Sequence, residues 1–415
     1  MRKNLVGNAI VGQSGGPTAA INATLAGVFR GACESKYVEK IYGMRNGIEG
    51  MLERRIIDLK EAIDSEEKLR MLDLTPAAAL GSCRKKLPNP DSTDEKDVAF
   101  YEKIFSIFEE YNIKYFFYIG GNDSMDTVFK ISRFADKIGY EICVMGVPKT
   151  IDNDLIATDH TPGYGSAAKY IATTMQEVIR DCAVYTTKAV TIVEIMGRDA
   201  GWLTAASAVG SVINGQAPDL VYLPERSFDI EDFFASIEKA FEKHPNIVVA
   251  VSEGIRFADG HYVGEGAQSG SVDVFGHRYL AGTAKALEMA VKERFGCKVR
   301  SIELNLPQRC AAHLVSRTDI EESIAIGREA VRVAAEEGAS GEMVLFERLS
   351  TEPYKCVVSR KKVSEIANMV KTVPDEFITD DGSFVTEECC KYILPLIEGE
   401  MTPVYERGIP RYLVI

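Results

Sequence analysis

The sequence predicts an α/β protein of two lobes with mainly parallel sheets. Three observations predict it. Short β-branched runs alternate with segments of helical periodicity. The runs are apolar along their length, as strands covered on both faces must be. The chain has 415 residues, too long for one ordinary domain and short for three.

The elements follow in order. Residues 8–11 form a strand that runs into GQSGG, and 19–32 a helix. Residues 114–119 run into GGNDS, followed by a helix over 125–138. Residues 141–147 run into PKTIDND, followed by a helix over 166–180. Residues 189–195 run into MGRDAG, with a helix over 202–212. Residues 246–251 run into SEG, and 300–304 into NLPQR. In α/β folds ligands sit at the carboxyl ends of strands. Every Gly- or Asp-rich motif here falls at such an end, which favours an enzyme over a scaffold. Residues 88–97 (PNPDSTDEKD) and 257–276, rich in Gly, Ser and Asp, are expected as surface insertions, the second as a mobile loop. From about 350 the alternation weakens, so the tail is expected as an extra layer or an oligomer contact.

Apolar residues at 46% and charged residues at 26% exclude collagen-like, coiled-coil and mostly disordered chains. Lys plus Arg is 48 and Asp plus Glu is 61, a net charge of −13. Such a chain lacks the field that captures nucleic acid or an anionic membrane. Neither is an expected partner, and any phosphate site must be a local concentration of positive charge. No window approaches the apolar run of a membrane helix, and the start lacks a signal-peptide core. A cytoplasmic location is expected. Nine cysteines, an odd count with no CxxC pair, suit reduced thiols. Five scattered histidines without HxxxH or HExxH spacing argue against a zinc enzyme.

Three motifs carry chemistry. GQSGGPTAAIN (12–22) puts small residues between a strand and a helix, where backbone N–H groups can meet an anion. A tight turn with no ligand is the alternative. IGGNDSMDT (119–127) repeats that geometry with an acid inside it. Asp123 is either the N-cap of a helix beginning near Ser124 or a charge placed for a cation or a charge filter. PKTIDND (148–154) packs a cation, a hydroxyl and two carboxylates into seven residues. Crowded carboxylates persist where magnesium, a lysine or a substrate hydroxyl offsets their repulsion. Phosphoryl transfer needs this set: a lysine for phosphate oxygens, a metal to bridge them, and an Asp to take the hydroxyl proton. An Asx-turn is the alternative.

Seven motifs in order resemble the phosphofructokinase family: SGG (14–16), GSCR (81–84), GGNDS (120–124), TIDND (150–154), MGR (196–198), SEG (252–254) and PQR (307–309). The resemblance implies two Rossmann-like lobes: 1–164, rejoined by about 308–350, for the phosphoryl donor, and 165–307 for the sugar phosphate. Residues 351–415 become a C-terminal extension of unassigned role. It implies phosphorylation of fructose 6-phosphate at its 1-hydroxyl, with Mg²⁺. Asp152 is then the general base and Asp154 its neighbour, helping to hold magnesium and orient the sugar. Gly15 supplies a backbone contact to the donor, and Arg84 stabilises the group in flight. Thr150, Met196, Gly197, Arg198 and Glu253 line the sugar site. Arg309 holds the 6-phosphate, and Arg300 that of the neighbouring subunit, in a homodimer or homotetramer with shared sites.

Members that use ATP usually carry GGDGS and a Gly before TIDND. Here those positions hold Asn122, Asp123 and Lys149, which resembles the branch using pyrophosphate. Asp123 would repel the α-phosphate of ATP, and Lys149 would attract a small, highly charged donor. The implied reaction is reversible and serves glycolysis and gluconeogenesis. Asn122 and Asp123 are the implied metal positions. Asn122 stands where the family usually has an Asp, so Asp123 or Asp154 takes more of that work. Leu306 stands where many members have His or Tyr. Ala189 stands where many have an arginine, with Lys188 beside it as a substitute. An ATP-dependent member and a silent regulatory subunit are the alternatives. A Rossmann dehydrogenase fails for want of GxGxxG.

Overall fold

The structure, a computed structural model, describes residues 4–265, 282–366 and 369–415. The expected loop over 257–276 lies outside the described residues from 266 onward. The first sheet has the strands β1 (Gly7–Gln13), β2 (Val38–Met44), β3 (Ile56–Asp58), β4 (Ile113–Gly120) and β5 (Cys143–Pro148). The second has β6 (Ala189–Ile195), β7 (Leu220–Tyr222), β9 (Asn246–Ser252) and β11 (Lys298–Glu303); β8 (Ser227–Phe228) and β10 (Arg256–Phe257) pair separately. The hairpin β12 (Glu342–Thr351) and β13 (Tyr354–Lys362) returns to the first sheet, whose order is β13-β12-β5-β4-β1-β2-β3. That sheet therefore continues past residue 350. Its pairs are parallel except β2–β3 and β12–β13.

Apolar runs made these strands because both faces are covered. On β1, Ala9 and Val11 belong to one core cluster and Ile10 to another; on β4, Tyr115 and Phe117 separate in the same way from Phe116 and Tyr118. Each large side chain so buried contributes about 1.5–3 kcal/mol. The second sheet, order β11-β6-β9-β7, is parallel throughout and is likewise covered on two faces.

The helices are α1 (Ile21–Glu34), α2 (Gly47–Leu52), α3 (Leu59–Ala62), α4 (Glu66–Asp73), α5 (Glu95–Glu110), α6 (Asn122–Ile138), α7 (Tyr164–Cys182), α8 (Trp202–Ala206), α9 (Gly210–Ile213), α10 (Ile230–Phe241), α11 (Thr283–Phe295), α12 (Pro307–Cys310), α13 (Arg317–Arg332) and α14 (Glu387–Ile393). The helix expected over 202–212 is two short ones, α8 and α9. Helix α1 crosses α13 closely: a Cβ on Gly27 would meet Ile324 O at 2.2 Å, and one on Gly327 would meet Thr24 O at 2.3 Å. This glycine-to-backbone crossing seats the middle of α1 directly against α13.

The strand orders say where a ligand can enter. The chain leaves β1 to one side for β2, then crosses to β4 on the other side. In the second sheet it leaves β6 toward β9 and β7, then returns to β11 on β6's other edge. Crevices open at such switch points. The SGG and GGNDS turns flank the first, and MGR and PQR flank the second.

Candidate active site

A cleft of about 700 Å³ lies between the carboxyl ends of the two sheets. The turns after β1, β4 and β5 line one wall, and those after β6, β9 and β11 the other; Arg84 joins the first, since Cys83 O beside it accepts from Gly15 N. Of the residues expected at a site, the cleft collects Gly15, Arg84, Asn122, Asp123, Lys149, Thr150, Asp152, Asp154, Met196, Arg198, Glu253, Leu306 and Arg309. They come from segments far apart in the chain, so the fold assembles the site.

On the first wall Gly15 has φ +78°, a conformation glycine adopts without cost. Its N–H donates to Cys83 O at 3.2 Å, so that N–H is already engaged within the protein. What glycine gives the cleft is space, since a Cβ there would stand 3.3 Å from Lys149 Nζ. Lys149 is 3% exposed and donates from Nζ to Gly16 O at 2.5 Å. Burial pulls its pKa down to about 8, against the pull of Asp152 and Asp154.

Asp123 is not an N-cap. Helix α6 begins one residue earlier, at Asn122, and Gly121 holds the cap position without a side-chain hydrogen bond. Asp123 sits in the first turn, where the helix dipole favours a negative charge, and lines the cleft. Beside it Asn122 Oδ1 is buried without a hydrogen-bond partner. A buried unsatisfied acceptor costs about 1–3 kcal/mol. An amide oxygen suits a hard divalent cation, and Asp123, Asp152 and Asp154 line the same cleft, although their carboxylates are not all within 4.8 Å of one another.

The turn after β5 carries the carboxylates. Thr150 Oγ1 accepts from Asp152 N at 3.1 Å and lies 3.4 Å from Asp152 Oδ2. Burial raises the pKa of Asp152, with Lys149 and Arg198 opposing. Burial and the charge of Asp152 push Asp154 up to about 7. Across the cleft, burial pushes Glu253 up to about 8, although its Oε1 accepts from Gly197 N at 3.3 Å. Three acids and a lysine are thus held away from their ordinary values in one cleft, a pattern typical of functional sites.

Two expected residues lie elsewhere. Gly197 sits behind the cleft wall, orienting Glu253 through its N–H. Arg300 lies on β11, at the edge of its sheet, 3.8 Å from Asp181. It lines a separate groove with Lys298, Ala189 and Asn246. Lys188 does not line that groove, its Nζ standing 4.8 Å from the Phe241 ring, whereas Lys298 does. Cleft residues not singled out from the sequence include Glu194, Asn305, Gln308 and Val370. Gln308 sat inside the motif PQR, and Glu194 on the expected strand that runs into MGR. Gln308 Oε1 accepts from Met196 N at 3.2 Å and its Nε2 donates to Asn305 O at 3.0 Å, tying the two turns together. Val370 had no signal at all.

The comparisons agree with this geometry. Residues 8–303 match the family described as Phosphofructokinase. Pyrophosphate--fructose 6-phosphate 1-phosphotransferase of Halomonas elongata is 41% identical over 97% of this chain and 95% of its own. The protein of that name from Methylococcus capsulatus is 41% identical over 98% and 96%. The crystal structure of pyrophosphate-dependent phosphofructokinase from Nitrosospira multiformis matches with a TM-score of 0.88 at 38% identity, covering 99% of this chain and 96% of that one. A family model matched over most of the chain, and relatives matched over almost all of it, show that this chain belongs to the phosphofructokinase family.

Proposed function

We infer that this chain transfers a phosphoryl group reversibly from pyrophosphate to the 1-hydroxyl of fructose 6-phosphate, giving fructose 1,6-bisphosphate and phosphate. The observation that carries the choice of donor is the pair Asp123 and Lys149 in one cleft. Asp123 puts a carboxylate where a longer nucleotide donor would bring its α-phosphate. Lys149 brings a buried positive charge to a donor that has no nucleoside to anchor it.

Asp152 accepts the proton of the 1-hydroxyl as the phosphorus–oxygen bond forms, and Thr150 fixes its orientation. Arg84 and Lys149 stabilise charge on the group in transfer. Met196, Arg198 and Glu253 hold the sugar, with Gly197 orienting Glu253 from behind, and Arg309 holds the 6-phosphate. Asn122, Asp123 and Asp154 would hold Mg²⁺, which when bound neutralises phosphate oxygens. Leu306, 53% exposed, sits at the rim on the sugar side.

The position of Arg300 outside its own cleft, on an edge strand, supports a homodimer or homotetramer in which it serves a neighbour's 6-phosphate. Full activity from a monomer, seen by light scattering under assay conditions, would rule that out. Among the described residues no helix is long and apolar enough to cross a membrane. A donor panel tests the main inference. With fructose 6-phosphate and Mg²⁺, pyrophosphate is expected to exceed ATP in kcat/KM by at least a hundredfold. A preference for ATP would assign the chain to the other branch.

A further inference from the structure

The turn that carries Asp152 and Asp154 is held from behind by the C-terminal segment. Asn153, between the two acids, has φ +53°, a left-handed conformation uncommon for a residue with a side chain. Its side chain is fully buried and points away from the cleft. Asn153 Nδ2 donates to Tyr392 OH at 3.0 Å, and Oδ1 accepts from Lys371 Nζ at 3.3 Å. Lys371 also donates its backbone N–H to Asp154 O at 2.7 Å. One residue thus grips two consecutive positions of the turn.

The rest of Lys371 is equally committed. Nζ donates to Thr158 O at 3.1 Å and to Asp159 O at 2.7 Å, so with Asn153 all three ammonium donors are used. All three acceptors lie on the stretch that follows Asp152. Lys371 O accepts from Trp202 Nε1 at 3.0 Å, and Nζ stands 5.1 Å from the indole ring. Trp202 lies on α8, beside the second sheet, so Lys371 bridges the turn to the side of the molecule that carries the acceptor wall. Its neighbour Val370 lines the cleft and bridges Leu155; Lys371 does not line it.

We propose that Lys371 is a positioning residue, which locks the left-handed turn at Asn153 so that Asp152 and Asp154 both face the cleft in fixed register with the sugar wall. This rests on the roles given above to the two acids. It gives the segment after 351 a part in the reaction, although among its described residues only Val370 lines the cleft.

The test pairs kinetics with amide exchange in the full chain. Lys371→Met is expected to lower kcat at least tenfold, with KM for fructose 6-phosphate and pyrophosphate changed by less than threefold. Lys371→Arg, which keeps donors but not their spacing, is expected to recover part of that loss. Hydrogen exchange over 150–156 in the ligand-free variant is expected to rise at least tenfold. Exchange needs no substrate, so it judges Lys371 even if the wild type proves to use another donor. If Lys371→Met does not fold, Tyr392→Phe replaces it, with a kcat loss of about threefold and faster exchange in the same turn. A kcat within twofold of wild type, or unchanged exchange at 150–156, overturns the proposal.

Discussion

Two groups of buried ionisable side chains lie on either face of one stretch, 149–160, and burial has opposite outcomes in them. Behind the stretch, His160 is bound at both nitrogens, to Asp159 and to Glu322, each at 2.8 Å. Asp159 also accepts from Arg348 Nε at 3.1 Å, and that guanidinium lies 4.4 Å from the Tyr392 ring. Burial works against the charged form of both groups. The partners outweigh it, so His160 titrates above its ordinary value and Asp159 below. On the cleft side burial wins. Lys149 falls to about 8, Asp154 rises to about 7 and Glu253 to about 8. The same desolvation, met by partners, yields a rigid salt cluster. Left unmet, it yields groups that gain from a ligand and exchange protons near neutrality.

The largest expected effect comes from breaking the cleft side at its centre. Asp152→Asn keeps size and hydrogen bonding but removes the base, and should lower kcat by roughly a hundredfold or more with a smaller change in KM. Near-normal kcat in steady-state assays would remove Asp152 from the proton transfer.

A smaller effect separates the two regions by stability. Glu253 has its folded pKa raised from 4.5 to about 8. The folded state therefore binds more protons than the unfolded state between those values, and stability falls as pH rises through that window. Glu253→Gln removes this penalty while its amide oxygen still accepts from Gly197. Its Tm should exceed that of wild type by a few degrees at pH 9, on the order of 2 kcal/mol, and match it near pH 4.5. A lower Tm at pH 9 would mean that Glu253 is already satisfied.

In the salt cluster the pH dependence has the same sign, but the substitution should destabilise the fold. The folded pKa of His160 is raised, so its contribution is complete below pH 6.5 and fades as pH climbs through the folded value. Glu322→Gln removes one of its two partners. The variant's deficit should be about 1–2 kcal/mol at pH 6 and shrink toward pH 9. Thermal melts that show a constant deficit would mean that His160 is neutral throughout.

The strands were legible because buried apolar runs leave a local record. Residues 189–195 were bounded as observed, and the other strands of the reading end within two residues of their observed ends. The site's motifs were legible because glycines and carboxylates cluster at strand ends. The cap reading of Asp123 was off by two residues because Gly121 takes the cap position with no side chain to announce it. The tail was opaque for a different reason. Its contributions are single residues that act at long range: Lys371 meets Asn153 across 218 positions and Tyr392 meets it across 239. No window along the chain contains both halves of either contact. The β12–β13 hairpin was missed because β13 is half-buried or exposed along its whole length, so it lacks the apolar run that marked the central strands.

The most direct measurement is kcat/KM for pyrophosphate and for ATP in wild type and in Asp123→Gly, each with fructose 6-phosphate and Mg²⁺. Removing the carboxylate opens the wall at the first turn of α6 and takes away a like charge, while Lys149 stays in place. The ATP to pyrophosphate ratio should rise about a hundredfold, the worth of ~3 kcal/mol in a transition state. If Asp123 serves only the helix dipole, the variant loses about 1 kcal/mol of stability and the ratio stays where it was. An unchanged ratio in a folded variant would contradict donor selection by Asp123.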